Sequence, residues 1–340
     1  MSTYTVTSFA SASPAFTETT YEVPRELPAF HVFVDILACG VCYTDLYRFD
    51  AVPGSICGHE TVGTIKDVGP NVNHLKIGDI VGFGYLRSSC LDCHQCTSGC
   101  DIMCKERKLF SHGPGGFAHA VVWDSRFVYK IPSSLEPKYA APLMCAGATV
   151  FAALYNNNVS PTARIGVIGI GGLGHLALQF CRAWGCQVVA LSGSLSKKNE
   201  ALSFGAHEFL NTKELTTETV KAQPKFDFIL NTTTGDLPWD LYLSLLNPNG
   251  ILCLVGFQEK PLEMKSNHFL YHQARVVGFL VASRGVSKKM LEFAARHNIK
   301  PMIEEYPMTA KGAANAMQNV RDGKVRYRAV LIVPQDSSKL

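Results

Sequence analysis

From its first residues to about position 38 the chain alternates apolar and polar side chains, most clearly in His31-Val-Phe-Val-Asp-Ile-Leu-Ala38. A period of two marks a strand with one buried face. Thr61 to Gly69 and Gly78 to Gly82 carry the same signature in shorter form with glycine turns, and together these segments predict an all-β, barrel-like domain. Glu136 to Tyr155 breaks the pattern, and Ala140-Ala-Pro-Leu-Met-Cys-Ala-Gly-Ala-Thr149 reads as a helical hinge. From Arg164 onward, strand-length apolar runs alternate with helical stretches. Gln187–Leu191, Phe226–Asn231, Gly250–Gly256 and Ala274–Leu280 are predicted parallel strands, and Trp239 to Leu246 is one of the helices between them. After Ser283 a helix over Lys288 to His297 and a last strand over Tyr327 to Val333 read as a return to the first domain.

The two patterns meet near Arg164-Ile-Gly-Val-Ile-Gly-Ile-Gly-Gly-Leu-Gly-His175. An apolar strand runs into Gly169, Gly171 and Gly174, and Leu173, Leu176, Ala177 and Phe180 then recur at helical spacing. Gly169 allows the turn, Gly171 lets backbone approach a pyrophosphate, and Gly174 lets the helix lie close to the strand. The helix N-terminus supplies N–H groups and a dipole that attract the anion. A glycine-rich turn of this kind also occurs with nothing bound, so its weight comes from the βα units that follow.

Composition narrows the choice further. The 340 residues suit two domains. A hydrophobic fraction of 47%, a charged fraction of 18% and a net charge of +4 without a basic stripe fit a globular protein that does not bind nucleic acid. No run of 18 uncharged apolar residues exists, so no membrane span is expected, and the N-terminus has neither a basic nor an apolar leader region. The default expectation is a cytoplasmic protein.

Twelve cysteines are then conspicuous, and they are unevenly placed. Cys39, Cys42 and Cys57 precede five between Cys90 and Cys104, and Cys145 follows in the hinge. Such clustering favours metal over disulfide. Cys181, Cys186 and Cys253 fall in apolar segments and read as small core residues. Cys90-x2-Cys93-x2-Cys96-x7-Cys104 is the strongest local signal, since four thiolates on one lobe close a tetrahedral zinc site without water. A disulfide cluster and an iron–sulfur cluster are the rival readings, and the spacing alone leaves open an exchange of Cys100 for a neighbour.

Taken in order, G-x-C-x-T-D, G-H-E, C-x2-C-x2-C-x7-C, L-x-C-A-G-x-T and G-x-G-G-x-G resemble the zinc-dependent medium-chain alcohol dehydrogenases over nearly the whole chain. The closing Val325-Arg-Tyr-Arg328 and the serines after the second nucleotide-domain strand make the chain most similar to the cinnamyl alcohol dehydrogenase-like branch. The resemblance implies an α/β fold: a GroES-like β-barrel catalytic domain over 1–150 and 286–340, and a Rossmann doubly wound parallel-sheet domain binding NADP over 151–285. It implies two Zn²⁺ per chain. Cys42, His59 and Cys145 would hold the catalytic ion, with Glu60 able to ligate or orient and Asp45 steadying the site. Cys90, Cys93, Cys96 and Cys104 would hold the structural one. Thr44 stands at the family's proton-relay position, and Gly169, Gly171, Gly172, Leu173, Gly174 and Thr149 are its cofactor contacts.

Cofactor choice has its own argument. An NAD site places a carboxylate about 20 residues past the glycines. Here that position reads Leu191-Ser-Gly-Ser-Leu-Ser-Lys-Lys198, with no carboxylate before Glu200. Hydroxyls and ammonium groups suit a 2′-phosphate, so Ser192, Ser194 and Lys197 or Lys198 are expected to bind NADP(H). Departures from the family cluster near the pocket mouth: Tyr43 and Tyr47 replace expected basic residues, and Cys57 replaces a common proline. Tyr47 either relays protons or lines the pocket, along with Tyr43, Leu109 and Phe110.

The resulting expectation is an NADP-dependent zinc alcohol dehydrogenase or aldehyde reductase acting on a hydrophobic, aromatic or allylic substrate. Reduction of an iminium or activated C=C bond, motivated by Tyr47, is the second reading; a non-catalytic nucleotide-binding protein is the third. A homodimer, paired through Ala274 to Leu280, is a family expectation.

Overall fold

The N-terminal alternation becomes long antiparallel strands in the computed structural model, which describes residues 2–334. The chain forms two compact units, one running to Cys145 and resuming at Ser283, the other Ala146–Ala282. The sequence placed these divisions at 150/151 and 285/286, three to five residues further on.

In the first unit Thr3–Ala12 and Ala15–Pro24 pair as a hairpin. A seven-stranded sheet then carries, side by side, Ile303–Pro307, Arg328–Ile332, His31–Val41, Thr61–Val68, Ile80–Phe83 and Tyr129–Lys130, with Ala120–Asp124 also paired to His31–Val41. The buried positions of the central strand, among them Val32, Val34 and Ile36, pack in one core with Val81, Phe83, Trp123 and Phe127. Two elements escaped the sequence reading. Ile303–Pro307 is an edge strand whose adjacent acids and terminal proline hide its periodicity. The helix Ala310–Arg321 buries only small residues and Met317, too weak an apolar stripe to stand out, and Thr309 caps it by accepting from the Gly312 N–H at 3.0 Å.

The second unit is a six-stranded parallel sheet: β1 (Arg164–Ile168), β2 (Gln187–Ser192), β3 (Glu208–Asn211), β4 (Phe226–Asn231), β5 (Leu246–Leu254) and β6 (Arg275–Gly278). Their spatial order is β3-β2-β1-β4-β5-β6, the doubly wound order of a dinucleotide-binding sheet. The winding reverses between β1 and β4, where such sheets open a crevice at their carboxyl ends. β3 was not foreseen because it has four residues, none fully buried. The predicted helix over Trp239 to Leu246 stops at Leu243; Leu245 and Leu246 turn into the core and Leu246 already begins β5. Cys181, Cys186 and Cys253 are buried, as expected of core residues.

Candidate active site and metal centres

Two paired strands and a helical turn of the first unit assemble one buried cluster. Cys42 follows the strand His31–Val41 and caps the helix Tyr43–Ala51, where its N–H donates to Asp45 Oδ2 at 3.1 Å. His59 and Glu60 precede the strand Thr61–Val68, which is antiparallel to the first and pairs Cys39 with Thr61. That register sets Cys42 and His59 beside each other. Gly58 adopts φ +100°, a left-handed conformation suited to glycine, and its N–H donates to Asp45 Oδ1 at 2.8 Å. Cys145 arrives on a π-helical turn, Leu143–Gly147, after a proline-ended helix. A side chain at Gly84 would lie 2.6 Å from the Met144 carbonyl, so the glycine lets that turn sit against the barrel.

One ligand atom from each of Cys42, His59, Glu60 and Cys145 falls within 4.8 Å of the others, and all four residues are buried. His59 Nδ1 lies 3.0 Å from Asp45 Oδ1; a carboxylate only accepts, so Nδ1 carries the proton. Nε2 is buried without a protein partner, as is Glu60 Oε2. Unpartnered lone pairs beside two sulfurs are what a cation would satisfy. Glu60 Oε1 accepts from Arg328 in a buried ion pair, and a side chain at Gly40 would collide with the Glu60 carboxylate. Burial pushes Glu60 up to about 7, with Arg328 pulling the other way. A hydrogen bond from Cys145 holds the Cys42 thiol well below its ordinary range against the opposing effect of burial, and His59 adds to the lowering. As the donor in that bond, and buried, Cys145 is pushed well up. Burial opposes charge on His59, yet Asp45 and Cys42 together raise it well above the imidazole range. A thiolate beside an imidazolium is a charge balance that a divalent cation can replace.

The second cluster is local. Cys90, Cys93, Cys96 and Cys104 also bring their sulfurs within 4.8 Å of one another. Neighbouring sulfurs lie 3.6, 3.6 and 3.9 Å apart. A tetrahedron with Zn–S bonds of about 2.3 Å has edges of about 3.8 Å, so the four fit zinc. No disulfide joins them, and Cys100 is exposed outside the group. Amide donors at Asp92 and Cys93 lower the Cys90 thiol to about 7. Asp101, within the lobe, accepts from Arg284 Nε at 2.6 Å and ties the lobe to the helix Arg284–Arg296.

In the second unit a cleft of about 490 Å³ opens at the reversal between β1 and β4. Gly169, at φ +85°, and Gly171 form one wall, while Ser192, Ser194 and Lys197 form another. Lys197 Nζ donates to the Ile170 carbonyl at 2.7 Å, which brings an ammonium to the glycine turn. A side chain at Gly171 would project into open space, and one at Gly174 would strike the Gly169 carbonyl. No carboxylate lines the cleft among the described residues.

Two family models match the chain, the alcohol dehydrogenase GroES-like domain over residues 28–133 and the zinc-binding dehydrogenase over residues 172–296. An aldehyde reductase of Synechocystis sp. is 39% identical over 315 residues, which is 91% of this chain and 93% of that one. The chain belongs to the zinc-dependent medium-chain alcohol dehydrogenases. Its branch is the cinnamyl alcohol dehydrogenase-like one. A cinnamyl alcohol dehydrogenase from Sorghum bicolor superposes with a TM-score of 0.90 at 32% identity, covering 98% of this chain and 100% of that one. The CAD of Helicobacter pylori, solved with NADP(H), gives 0.87 at 28% identity, covering 97% and 99%.

Within this dehydrogenase the expected residues divide into those the fold gathers and those it does not. Thr44 and Tyr47 lie one turn apart on the helix Tyr43–Ala51, with Tyr47 exposed and its ring 5.4 Å from that of Tyr43. Gly172 and Leu173 form the turn into the helix Gly174–Trp184. Lys198 is exposed and does not line the cleft, whereas Lys197 does. Thr149 is buried on the helix Ala148–Asn156 and does not line that cleft either. The sequence reading passed over Tyr85, whose ring lies 5.9 Å from His59, and treated Arg328 only as part of a branch motif. The Phe110 ring lies tilted with its centre 4.7 Å from that of His59, so the imidazole has two aromatic neighbours. An aromatic at Tyr85, directly after the glycine-bearing strand Ile80–Phe83, was the available signal.

Proposed function

We propose that this dehydrogenase uses NADPH to reduce hydrophobic aldehydes to primary alcohols and catalyses the reverse oxidation. The observation that carries the reading is the buried set of Cys42, His59, Glu60 and Cys145, whose two sulfurs and unpartnered imidazole nitrogen would suit a reactive zinc ion, with Glu60 able to ligate or orient. Zinc held there supplies Lewis acidity toward a carbonyl oxygen, and NADPH supplies the hydride. Cys90, Cys93, Cys96 and Cys104 hold a second zinc whose role is structural.

The chain's own residues do the rest. Asp45 fixes the His59 tautomer and ring plane, leaving Nε2 for the metal. Tyr85 and Phe110 wall the site with apolar surface, which excludes water and favours an aromatic substrate. The Thr44 hydroxyl gives its proton to the new alkoxide and recovers one through Tyr47. At the glycine turn, backbone N–H groups receive the pyrophosphate, while Ser192, Ser194 and Lys197 hold the 2′-phosphate. A carboxylate there would repel that phosphate and select NAD.

We extend the proposal to a cytosolic homodimer paired through β6. It is an edge strand, and the adjoining Leu270, Tyr271 and Leu280 expose 72, 83 and 52% of their surfaces. No helix among the described residues is long and apolar enough to cross a membrane. Light scattering on a size-exclusion column should give twice the 37.1 kDa chain mass.

The deciding experiment compares NADPH and NADH oxidation with cinnamaldehyde and counts zinc on the same sample. NADPH-selective turnover with two zincs per chain is expected. Two zincs and tight NADPH binding without carbonyl turnover would overturn the aldehyde reading and point to iminium or enone substrates.

A further inference from the structure

The first unit carries a polar cleft of about 330 Å³ that none of the catalytic reasoning uses. It is lined by the base of the cysteine lobe, through Arg87, Ser89, Lys108 and His112, and by His31 and Asp124 from the barrel strands. Ser89 links it to the lobe, since its hydroxyl lies 3.2 Å from Cys96 Sγ.

The charges facing this cleft do not cancel. Arg87, Lys108 and Arg126 stand against one acid, Asp124. That acid is already taken: Arg126 Nε and Nη2 donate to its two oxygens at 2.9 and 2.7 Å. Among the described residues no carboxylate lies within ion-pair distance of Arg87 or Lys108. Arg87 is nevertheless rigidly held. Its Nη1 and Nη2 donate to the carbonyls of Pro114 and Val122 at 2.8 and 2.9 Å, and its guanidinium lies 4.1 Å from the Trp123 ring centre. Burial lowers its pKa to about 10, with Tyr21 pulling the other way. A fixed, desolvated cation without a counter-ion is costly unless an anion completes it.

Two histidines add donors. His31 Nδ1 is buried without a partner. His112 Nδ1 accepts from the Leu109 N–H at 3.1 Å, so in the neutral ring the proton sits on Nε2. Ser88 contributes a hydroxyl. This is the donor-rich, net positive lining that an oxyanion requires.

We propose that this cleft binds a dianionic phosphate group, held by Arg87 and Lys108 with His31 and His112 as further donors. Such an occupant would bridge the cysteine lobe to the barrel. The site lies in a different unit from the coenzyme cleft, and the inference rests on neither the zinc nor the NADPH reading.

Calorimetric titration of the zinc-loaded protein with inorganic phosphate, against potassium chloride of equal ionic strength, tests it. Saturable binding is expected for the wild type and for Lys197→Ala, which weakens the coenzyme cleft. Lys108→Glu replaces an exposed cation with an anion and should weaken binding about tenfold or more while leaving NADPH-dependent turnover unchanged. Glycerol 3-phosphate is run in parallel: tighter binding of the ester assigns the site to a phosphomonoester, and weaker binding to the free ion. No saturable signal above chloride would overturn the proposal. So would binding that survives Lys108→Glu and disappears in Lys197→Ala, which would place the phosphate in the coenzyme cleft.

Discussion

As candidate metal centres, the two cysteine clusters would solve the same coordination problem in opposite ways. Cys90, Cys93, Cys96 and Cys104 lie within 15 residues and need only a short lobe to converge. Cys42, His59, Glu60 and Cys145 span more than a hundred positions and converge only because a strand pairing and a π-helical turn bring them together. The local set is chemically uniform and closed. The dispersed set mixes sulfur, nitrogen and carboxylate in a buried pocket, with polar atoms left unpartnered. Closure suits a structural ion, whereas unspent coordination suits a reacting one. The comparison predicts that damage to the first cluster is felt as stability and damage to the second as rate.

The sharpest break is Cys145→Ala. Lewis acidity contributes several kcal/mol of transition-state stabilisation, so aldehyde reduction should fall about a thousandfold. Zinc counted by emission spectroscopy should drop from two ions to one, with NADPH binding retained. Turnover at the wild-type rate would remove the dispersed cluster from the chemistry.

Asp45→Asn comes next. The carboxylate holds the His59 ring through Nδ1 and also accepts from the Cys42 and Gly58 N–H groups. Removing its charge should lower zinc affinity or turnover about 10- to 100-fold, as is usual for groups that orient a metal ligand. Competition with a chromophoric chelator separates the two effects, and the slowly released lobe zinc serves as an internal control. Equal loosening of both ions would mean that Asp45 supports the whole domain rather than one site.

Cys93→Ser probes the other side. Loss of the lobe's ion should lower the melting temperature by on the order of 10 °C, since each kcal/mol lost moves a domain of this size by about 2–4 °C. Turnover of fresh enzyme at 25 °C should stay within about twofold of wild type. A thousandfold loss of rate without a change in melting temperature would reverse the assignment of the two clusters.

The same contrast explains what was legible in the sequence. Four cysteines in one loop are a pattern of spacing, and the glycine turn is a pattern of backbone need, so both could be read directly from neighbouring letters. Asp45 and His59 are 14 residues apart and came through family motifs. Arg328 and Glu60 are 268 residues apart, and their buried pair depends on Arg328–Ile332 lying next to His31–Val41. No local pattern encodes such a neighbour. β3 and Ile303–Pro307 were missed for a related reason: short edge strands owe their state to the strand beside them rather than to their own alternation. The polar cleft beside the cysteine lobe assembles residues from His31 to Arg126 and has no sequence signature at all.

Tyr47→Phe is the smallest expected effect and refines the reactive side of the comparison. The residue is exposed and one helical turn from Thr44, so the proposed relay through its hydroxyl would end at water. In a relay, removing that hydroxyl lengthens the proton's path, but water at an exposed site substitutes in part. A fall in kcat of about threefold, with KM unchanged, follows. The solvent deuterium isotope effect on kcat should rise in the same variant, because proton delivery then limits more of the turnover. A pocket-lining role gives the opposite split. The phenylalanine ring still packs beside Tyr43, so kcat holds while KM for an aromatic aldehyde shifts and the isotope effect stays flat. Thr44→Ala distinguishes the first step of the relay from the second: it removes the group nearest the alkoxide and should cost more than Tyr47→Phe. If the two variants were equal in kcat and additive in combination, Thr44 and Tyr47 would not act in series.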